Sequence, residues 1–239
     1  MKICTVSFNS WMPVSREFDY EERCQAIARS LSSYAPDVIC CQEVFSGRLS
    51  DLRDAFKDYE AYSPLGSFGP QTLLTVTLVK RSFSGAVTII KPEKSPVKNR
   101  FNIVKIVSKS GIPLYIFNIH MVLLHGISNK HYDRPSLYNL LWDSIFNSLD
   151  TYKDKATILA GDLQEDSNSP NCRKLMQEGF CEPVSGMPTC TNDLFPTKSI
   201  DHILYNPIAV DIVEPKNLTV DNTLISTGLS DHLMLVVNA

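Results

Sequence analysis

Apolar positions along this chain follow two rhythms. Short runs rich in β-branched residues recur from one end to the other. Residues 2–8, 38–41, 73–79, 87–90, 103–107, 114–118, 156–160, 200–205, 209–213 and 233–237 are predicted strands. Between some of them the period lengthens to that of a helix. Residues 19–34 place Ala26, Ile27 and Leu31 on one face and open with Asp19, Glu21 and Glu22, where carboxylates favour a helix N-terminus; Pro36-Asp37 ends the segment. A second helix is predicted over 47–57 with Leu49, Leu52 and Phe56 inward. A third spans 136–149 with a stripe of Leu137, Leu140, Leu141, Ile145 and Leu149, and a short one covers 170–178. Ser110-Gly111-Ile112-Pro113 separates two strands in the manner of an antiparallel hairpin. No repeat, low-complexity tract or linker breaks the pattern. It predicts one α/β domain over residues 1–239, with two largely antiparallel sheets packed face to face and helices outside.

Composition adds limits on function. The 239 residues are 44% hydrophobic and 21% charged, which suits a large buried core and excludes a disordered, collagenous or coiled-coil chain. A net charge of −3 gives no long-range positive field, so strong non-specific nucleic-acid binding is disfavoured; a local basic groove or a metal that screens an anionic substrate remains compatible. The seven cysteines are odd in number and several sit inside apolar runs, as free buried thiols of a reducing compartment do. No C-x-x-C spacing supports a zinc site. Met1 to Val6 is too short an apolar run for a signal peptide, and no run approaches the ~18 residues of a membrane span. An intracellular monomer, cytoplasmic or nuclear and without integral membrane association, is expected.

The chemistry sits where the strands end. They run into Asn9, into Gln42-Glu43, into Asn118-Ile119-His120 and into Gly161-Asp162-Leu163-Gln164, while Asp201-His202 and Asp231-His232 open late strands. One polar strand end is ordinary, because strands must leave the core somewhere. Six of acid, amide or imidazole type, brought to one rim by sheet packing, form a candidate site. Oxygen donors without cysteine favour a hard cation, Mg²⁺ or Mn²⁺. Such a cation beside histidines and carboxylates suits phosphoryl transfer to water. Strand alternation turns His202 away from Asp201, as a packed or surface histidine. His125 and His131 read as solvated loop residues. Lys91, Lys94, Lys98 and Arg100 form a dense basic stretch in a hairpin loop; its default is a solvated turn, and at a cleft rim it would hold a nucleic-acid backbone or a polyphosphate.

Taken in order, Phe8-Asn9, Gln42-Glu43-Val44, Asn118-Ile119-His120, Gly161-Asp162-Leu163-Gln164, Ile200-Asp201-His202-Ile203-Leu204 and Ser230-Asp231-His232 resemble the motifs of the endonuclease/exonuclease/phosphatase superfamily. Leu73-Leu74-Thr75 is similar to that family's central strand, with Thr72 where the pattern has glycine. The resemblance implies a four-layer α/β sandwich like that of deoxyribonuclease I and a phosphoester hydrolase dependent on Mg²⁺ or Mn²⁺. By position it implies Glu43, Asp231 and Asn9 as metal ligands, with Asn9, Asn118 and Arg134 as substrate contacts. It also implies His120, Asp162, Gln164, Asp201 and His232 as catalytic residues, Asp201 being the partner of His232 and Asp162 orienting or deprotonating the attacking water. The Asn-x-His element points away from the apurinic-endonuclease branch. One departure stands out: Gln164 replaces the family asparagine, one methylene longer. The substrate class this suggests is a nucleic-acid or nucleotide-like phosphodiester. The alternatives are small phosphorylated molecules or lipid headgroups, of inositol phosphate or sphingomyelin type, and a catalytically weak phosphate-binding member.

Overall fold

The computed structural model describes residues 1–7, 19–83, 85–92, 95, 97–107, 111–122, 134–182, 188–190, 199–215 and 217–238. Asn9, Lys94, Ser110, His125 and His131 lie outside the described residues. In chain order the elements are β1 (Ile3–Ser7), α1 (Tyr20–Ser32), β2 (Val38–Phe45), α2 (Leu49–Ala55), β3 (Tyr59–Tyr62), β4 (Leu73–Lys80), β5 (Ala86–Ile90), β6 (Phe101–Val107), β7 (Pro113–His120), α3 (Arg134–Thr151), β8 (Ala156–Asp162), α4 (Pro170–Gln177), β9 (Asp201–Tyr205), α5 (Pro207–Val213), β10 (Asn217–Asp221), α6 (Thr223–Ser226) and β11 (Met234–Asn238).

The strands form two mixed sheets, ordered β10-β11-β1-β2-β4-β3 and β5-β6-β7-β8-β9. Neighbours are antiparallel except β1 with β2 and β7 with β8. The sheets pack face to face through Ile3, Val38, Cys40, Val79, Val104, Ile116, Ile158 and Val237. The outer face of the first sheet, with Cys4, Ile39, Cys41 and Val76, is covered by Ile27 and Leu31 of α1, Leu52 of α2 and Leu224 of α6. The outer face of the second is covered by α3 and α4 through Leu141, Trp142, Ile145 and Leu175. Both faces of the central strands are therefore dry, which is why β2 reads as an unbroken apolar run rather than an alternation. The four layers are those expected from the sequence.

Local sequence accounts for the helix ends. Asp19 accepts from the Glu22 amide at 2.8 Å while the Glu22 carboxylate accepts from the Asp19 amide at 3.3 Å, a reciprocal cap on α1. Two expectations are corrected. Residues 209–213, expected as a strand, belong to α5. Pro207 occupies the first turn and Asn206 caps it, accepting from the Ala209 amide at 2.9 Å. The stripe of α3 is rotated: Tyr138, Leu141, Trp142, Ile145 and Leu149 are buried, whereas Leu140 is 50% exposed. Strands β3 and β10 lay outside the sequence expectation. The seven cysteines are unpaired, six of them buried and Cys181 exposed. Among the described residues no helix is long and apolar enough to cross a membrane.

Candidate active site

Strand direction brings the polar ends together. Strands β7 and β8 run parallel, so their C-terminal ends share an edge and His120 pairs with Asp162. Antiparallel β9 then sets its first residue, Asp201, opposite Asp162. In the other sheet β1 and β2 are parallel and pair as far as Gln42, while antiparallel β11 places the segment before Met234, with Asp231 and His232, at that same end. Both sheets thus deliver acids and imidazoles to one rim.

Backbone irregularities aim them. The β2–β4 register shifts between Cys41 and Val44, and within this bulge Glu43 has φ of 58°. A left-handed glutamate stores roughly 1–3 kcal/mol of strain, which the surrounding ladder sustains. Gly161 has φ of 135°, and a Cβ there would stand 2.0 Å from the Ile119 carbonyl oxygen, so no side chain fits. Gln164 is also left-handed, with φ of 56°. Its backbone N–H donates to Asp162 Oδ1 at 2.9 Å, and its side-chain Nε2 donates to Asp162 Oδ2 at 2.6 Å. The carboxamide carried by the longer side chain thus folds back onto the carboxylate, and its Oε1 is buried without a partner among the described residues.

Beneath the rim a polar chain ties the sheets. Thr5 Oγ1 donates to Gln42 Oε1 at 3.1 Å, and Gln42 Nε2 donates to Asn118 Oδ1 at 2.9 Å. Asn118 Nδ2 donates to the Cys41 carbonyl and to Thr77 Oγ1, both at 3.3 Å. Asn118 is therefore fully buried with its amide engaged below the cleft rather than presented to it. This supports the neighbouring His120 rather than the substrate contact expected of Asn118.

Two buried histidines have opposite electrostatics. His232 Nδ1 faces Asp201 Oδ2 at 2.9 Å. Burial alone would lower its pKa, but the Asp201 charge and hydrogen bond, helped by Cys190 and Asp162, hold it well above the ordinary histidine value. Its other nitrogen, Nε2, lies 3.6 Å from Asp231 Oδ1 and 3.8 Å from the Cys190 thiol. His120 Nε2 meets Arg100 Nη1 at 3.1 Å. A guanidinium can only donate, so this nitrogen accepts and the ring is neutral, with its proton on Nδ1. Burial, the Arg100 charge and His232 together push the His120 pKa well below the ordinary value. His120 Nε2 is 3.5 Å from Glu43 Oε1 and 3.8 Å from Asp162 Oδ2, which draws the two sheets' residues into one cluster. Burial and the nearby Asp201 charge raise the Asp162 carboxyl above the usual carboxylate range, with Glu43 adding to the effect.

Glu43, His120, Asp162, Gln164, Asp201, Asp231 and His232 all converge. Arg134 is the first residue of α3. His202, on the opposite face of β9, is packed away: its Nε2 donates to the Glu165 carbonyl at 2.7 Å and its Nδ1 meets Glu182 Oε1 at 3.0 Å.

Three neighbours of the cluster were not foreseen. Arg100 leaves the basic stretch for His120 and also donates to the Met121 carbonyl at 3.0 Å. Arg23 of α1 is lowered by burial, and Glu43 and Asp231 are among the charges opposing that shift, so its guanidinium lies in the field of both acids. Cys190 is bridged antiparallel to His232. Only the basic stretch carried any sequence signal; the other two arrive through tertiary packing.

The carboxylates suit a hard cation. Glu43, 3.5 Å from His120 Nε2, and Asp231, 3.6 Å from His232 Nε2, have side chains 14% and 13% exposed. Groups of Asp162, Asp201 and His232, and of Cys190, Asp231 and His232, also bring donor atoms within 4.8 Å of one another.

The two packed sheets thus bring carboxylates and imidazoles together at one edge of an α/β sandwich. Residues 6–232 match the Endonuclease/Exonuclease/phosphatase family, and the chain belongs to it. Solved structures share the fold at low identity. An endonuclease/exonuclease/phosphatase from Bacteroides vulgatus is 13% identical with a TM-score of 0.76, covering 99% of this chain and 97% of that one. The APE2 catalytic domain of Xenopus laevis is 14% identical with a TM-score of 0.71, covering 99% of this chain and 91% of that one. A mannosyl-6-phosphatase from Bacteroides thetaiotaomicron is 17% identical with a TM-score of 0.69, covering 100% and 98% respectively. No curated protein matches this chain.

Proposed function

We propose that this chain is a Mg²⁺- or Mn²⁺-dependent phosphodiesterase acting on a nucleic-acid or nucleotide-like phosphodiester. The observation that carries the reading is the Asp201–His232 pair beside Asp162, with Glu43 and Asp231 at the mouth of the same cleft.

In this reading Glu43 and Asp231, with Asn9, hold the cation, which screens and polarises the anionic phosphate when bound. Asp201 fixes the tautomer of His232 and sustains its positive charge, so Nε2–H is turned to a phosphate oxygen. Asp162, with its pKa raised toward neutrality, takes a proton from the attacking water at a carboxylate oxygen. Gln164 orients that carboxylate through its backbone and side-chain N–H groups. His120, kept neutral by Arg100, adds a polar contact without adding charge. Arg100 is left to face the anion.

Hydrolysis of bis-p-nitrophenyl phosphate tests the reading. Activity with Mg²⁺ or Mn²⁺, its loss in EDTA and its recovery on adding metal are the expected results. Glu43→Gln, which removes a charge but keeps the shape, is expected to lower turnover by orders of magnitude at low metal. Hydrolysis that is indifferent to EDTA, or an unchanged Glu43→Gln rate, overturns the metal assignment.

A further inference from the structure

Beside the cluster lies a cavity of about 200 Å³ with a different chemistry. It opens where β5 leaves β6: Ile90 pairs with Ile103, and the chain then turns away, leaving Phe101 and Asn102 along the cavity wall. Arg100, the residue before them, is already in the cluster at His120. Site and cavity are thus joined by consecutive residues of one segment, about 3.8 Å apart per step. Across the cavity, Leu65 is 50% exposed. Lys91, Ser95 and Lys98 line it too, and none of the described lining residues is acidic. Neither lysine has an ion-pair partner among the described residues. Two exposed lysines without an ion-pair partner among the described residues thus meet at one cavity.

We propose that this cavity is a second anion subsite, and that the substrate carries a second phosphate beside the one that is hydrolysed. The inference rests on the phosphoesterase reading above. The cavity is smaller than the roughly 300–1,000 Å³ of whole-ligand pockets. It therefore accommodates one arm of a substrate whose reacting phosphate lies at Arg100 and His120. Leu65 gives apolar surface for the ring or chain linking the two phosphates, while Lys91 and Lys98 meet the second charge and Ser95 offers it a hydroxyl. The second phosphate has two sources with the same chemistry, a terminal phosphate on a small molecule or the next phosphodiester of a strand.

The test compares two chromogenic esters: thymidine 5′-(p-nitrophenyl phosphate) and the same compound with a 3′-phosphate. The wild-type protein is expected to show a KM about three- to tenfold lower for the 3′-phosphorylated ester at low salt, the scale of one or two partly exposed charge contacts. The gap should narrow in about 0.5 M NaCl through screening. In Lys91→Gln/Lys98→Gln the two KM values should converge, and Lys98→Glu should invert the preference, with thermal unfolding of both variants close to wild type. A p-nitrophenyl-tagged oligothymidylate separates the sources. A further fall in KM assigns the subsite to a strand, and no further fall assigns it to a terminal phosphate. Equal KM values for the two esters in the wild-type protein, or a gap that survives the double substitution, overturn the subsite. If bis-p-nitrophenyl phosphate and both esters resist hydrolysis with Mg²⁺ and Mn²⁺, the phosphoesterase reading itself fails and the subsite falls with it.

Discussion

The two faces of β9 carry the same chemical pair put to different use. On the cleft face Asp201 holds His232 at 2.9 Å; on the outer face, one residue along, His202 meets Glu182 at 3.0 Å. All four side chains are buried, and both imidazoles are held above the ordinary histidine value against burial. The difference lies in the remaining nitrogen. His202 gives Nε2 to the Glu165 carbonyl at 2.7 Å, so both ring nitrogens are occupied by protein. Among the described residues His232 Nε2 has the Cys190 thiol and Asp231 at 3.6–3.8 Å, distances that a phosphate oxygen can better. A buried imidazole–carboxylate pair is therefore a structural strut unless one nitrogen is left for substrate.

The largest expected effect separates the faces outright. His232→Ala should lower turnover by about 10²–10⁴-fold, the range of a lost acid–base group. His202→Ala should spare turnover instead. Stranding Glu182 in the interior should cost about 3–5 kcal/mol of stability, while molecules that remain folded keep turning over. Urea unfolding and single-turnover hydrolysis measure the two quantities. Equal losses of turnover with unchanged stability would dissolve the distinction.

Next comes the coupling within the cleft pair. If Asp201 works only through His232, Asp201→Asn added to His232→Ala should change turnover little beyond His232→Ala alone. Independent, multiplicative losses in a double-mutant cycle would show that Asp201 acts elsewhere, for instance on Asp162.

A smaller effect is expected one loop away, at Gln164. Truncation to Ala removes the 2.6 Å hydrogen bond to Asp162 and leaves the backbone one. Turnover should fall by about 10²-fold, near the lower end for a lost oriented donor. Gln164→Asn is the sharper variant. The left-handed backbone is fitted to the longer reach, so Asn should fall short of Asp162 and also lose rate. A faster Asn variant would mean that the natural glutamine impairs the enzyme.

Much of this site was legible in the sequence because strand ends are legible: the residue that closes an apolar run has few places to go once the sheets are packed. That logic located Glu43, His120, Asp162, Asp201 and His232, and strand alternation separated His202 from Asp201. It could not see how a bulge re-aims Glu43, since a register shift depends on the partner strand. Asn118 carries the expected identity, but only the packing of Gln42 and Thr77 around it shows that its amide is engaged. Ala209 to Val213 is apolar and β-branched enough to read as a strand, although Asn206-Pro207 held the cap signal that makes it part of α5. Cys190 reaches His232, and Arg23 comes under the charges of Glu43 and Asp231, through tertiary packing, without a local pattern to mark them.

The smallest effect is the outer face's share of the pH dependence of stability. Burial would lower the His202 pKa, but the Glu182 hydrogen bond and charge, the Glu165 carbonyl and the Asp201 charge outweigh it, and the net shift is upward. A histidine raised in the folded state stabilises fully below its unfolded value of about 6.5, where both states hold the proton. Above that value the unfolded chain releases its proton first. Stability therefore falls as pH rises, by at most about 1.4 kcal/mol per pH unit, until the folded pKa is passed. His232 is raised as well, so the wild-type profile alone cannot assign the slope. The difference between wild type and His202→Gln/Glu182→Gln can, because His232 is common to both. The His202→Gln change keeps a donor for the Glu165 carbonyl, and removing the Glu182 charge leaves nothing stranded. The stability gap between the two proteins should be widest below pH 6.5 and narrow as pH rises, while the pH profile of turnover stays the same. A gap independent of pH would mean that the upward shift of His202 contributes nothing to stability. A shifted turnover profile would mean that the outer face reaches the chemistry after all.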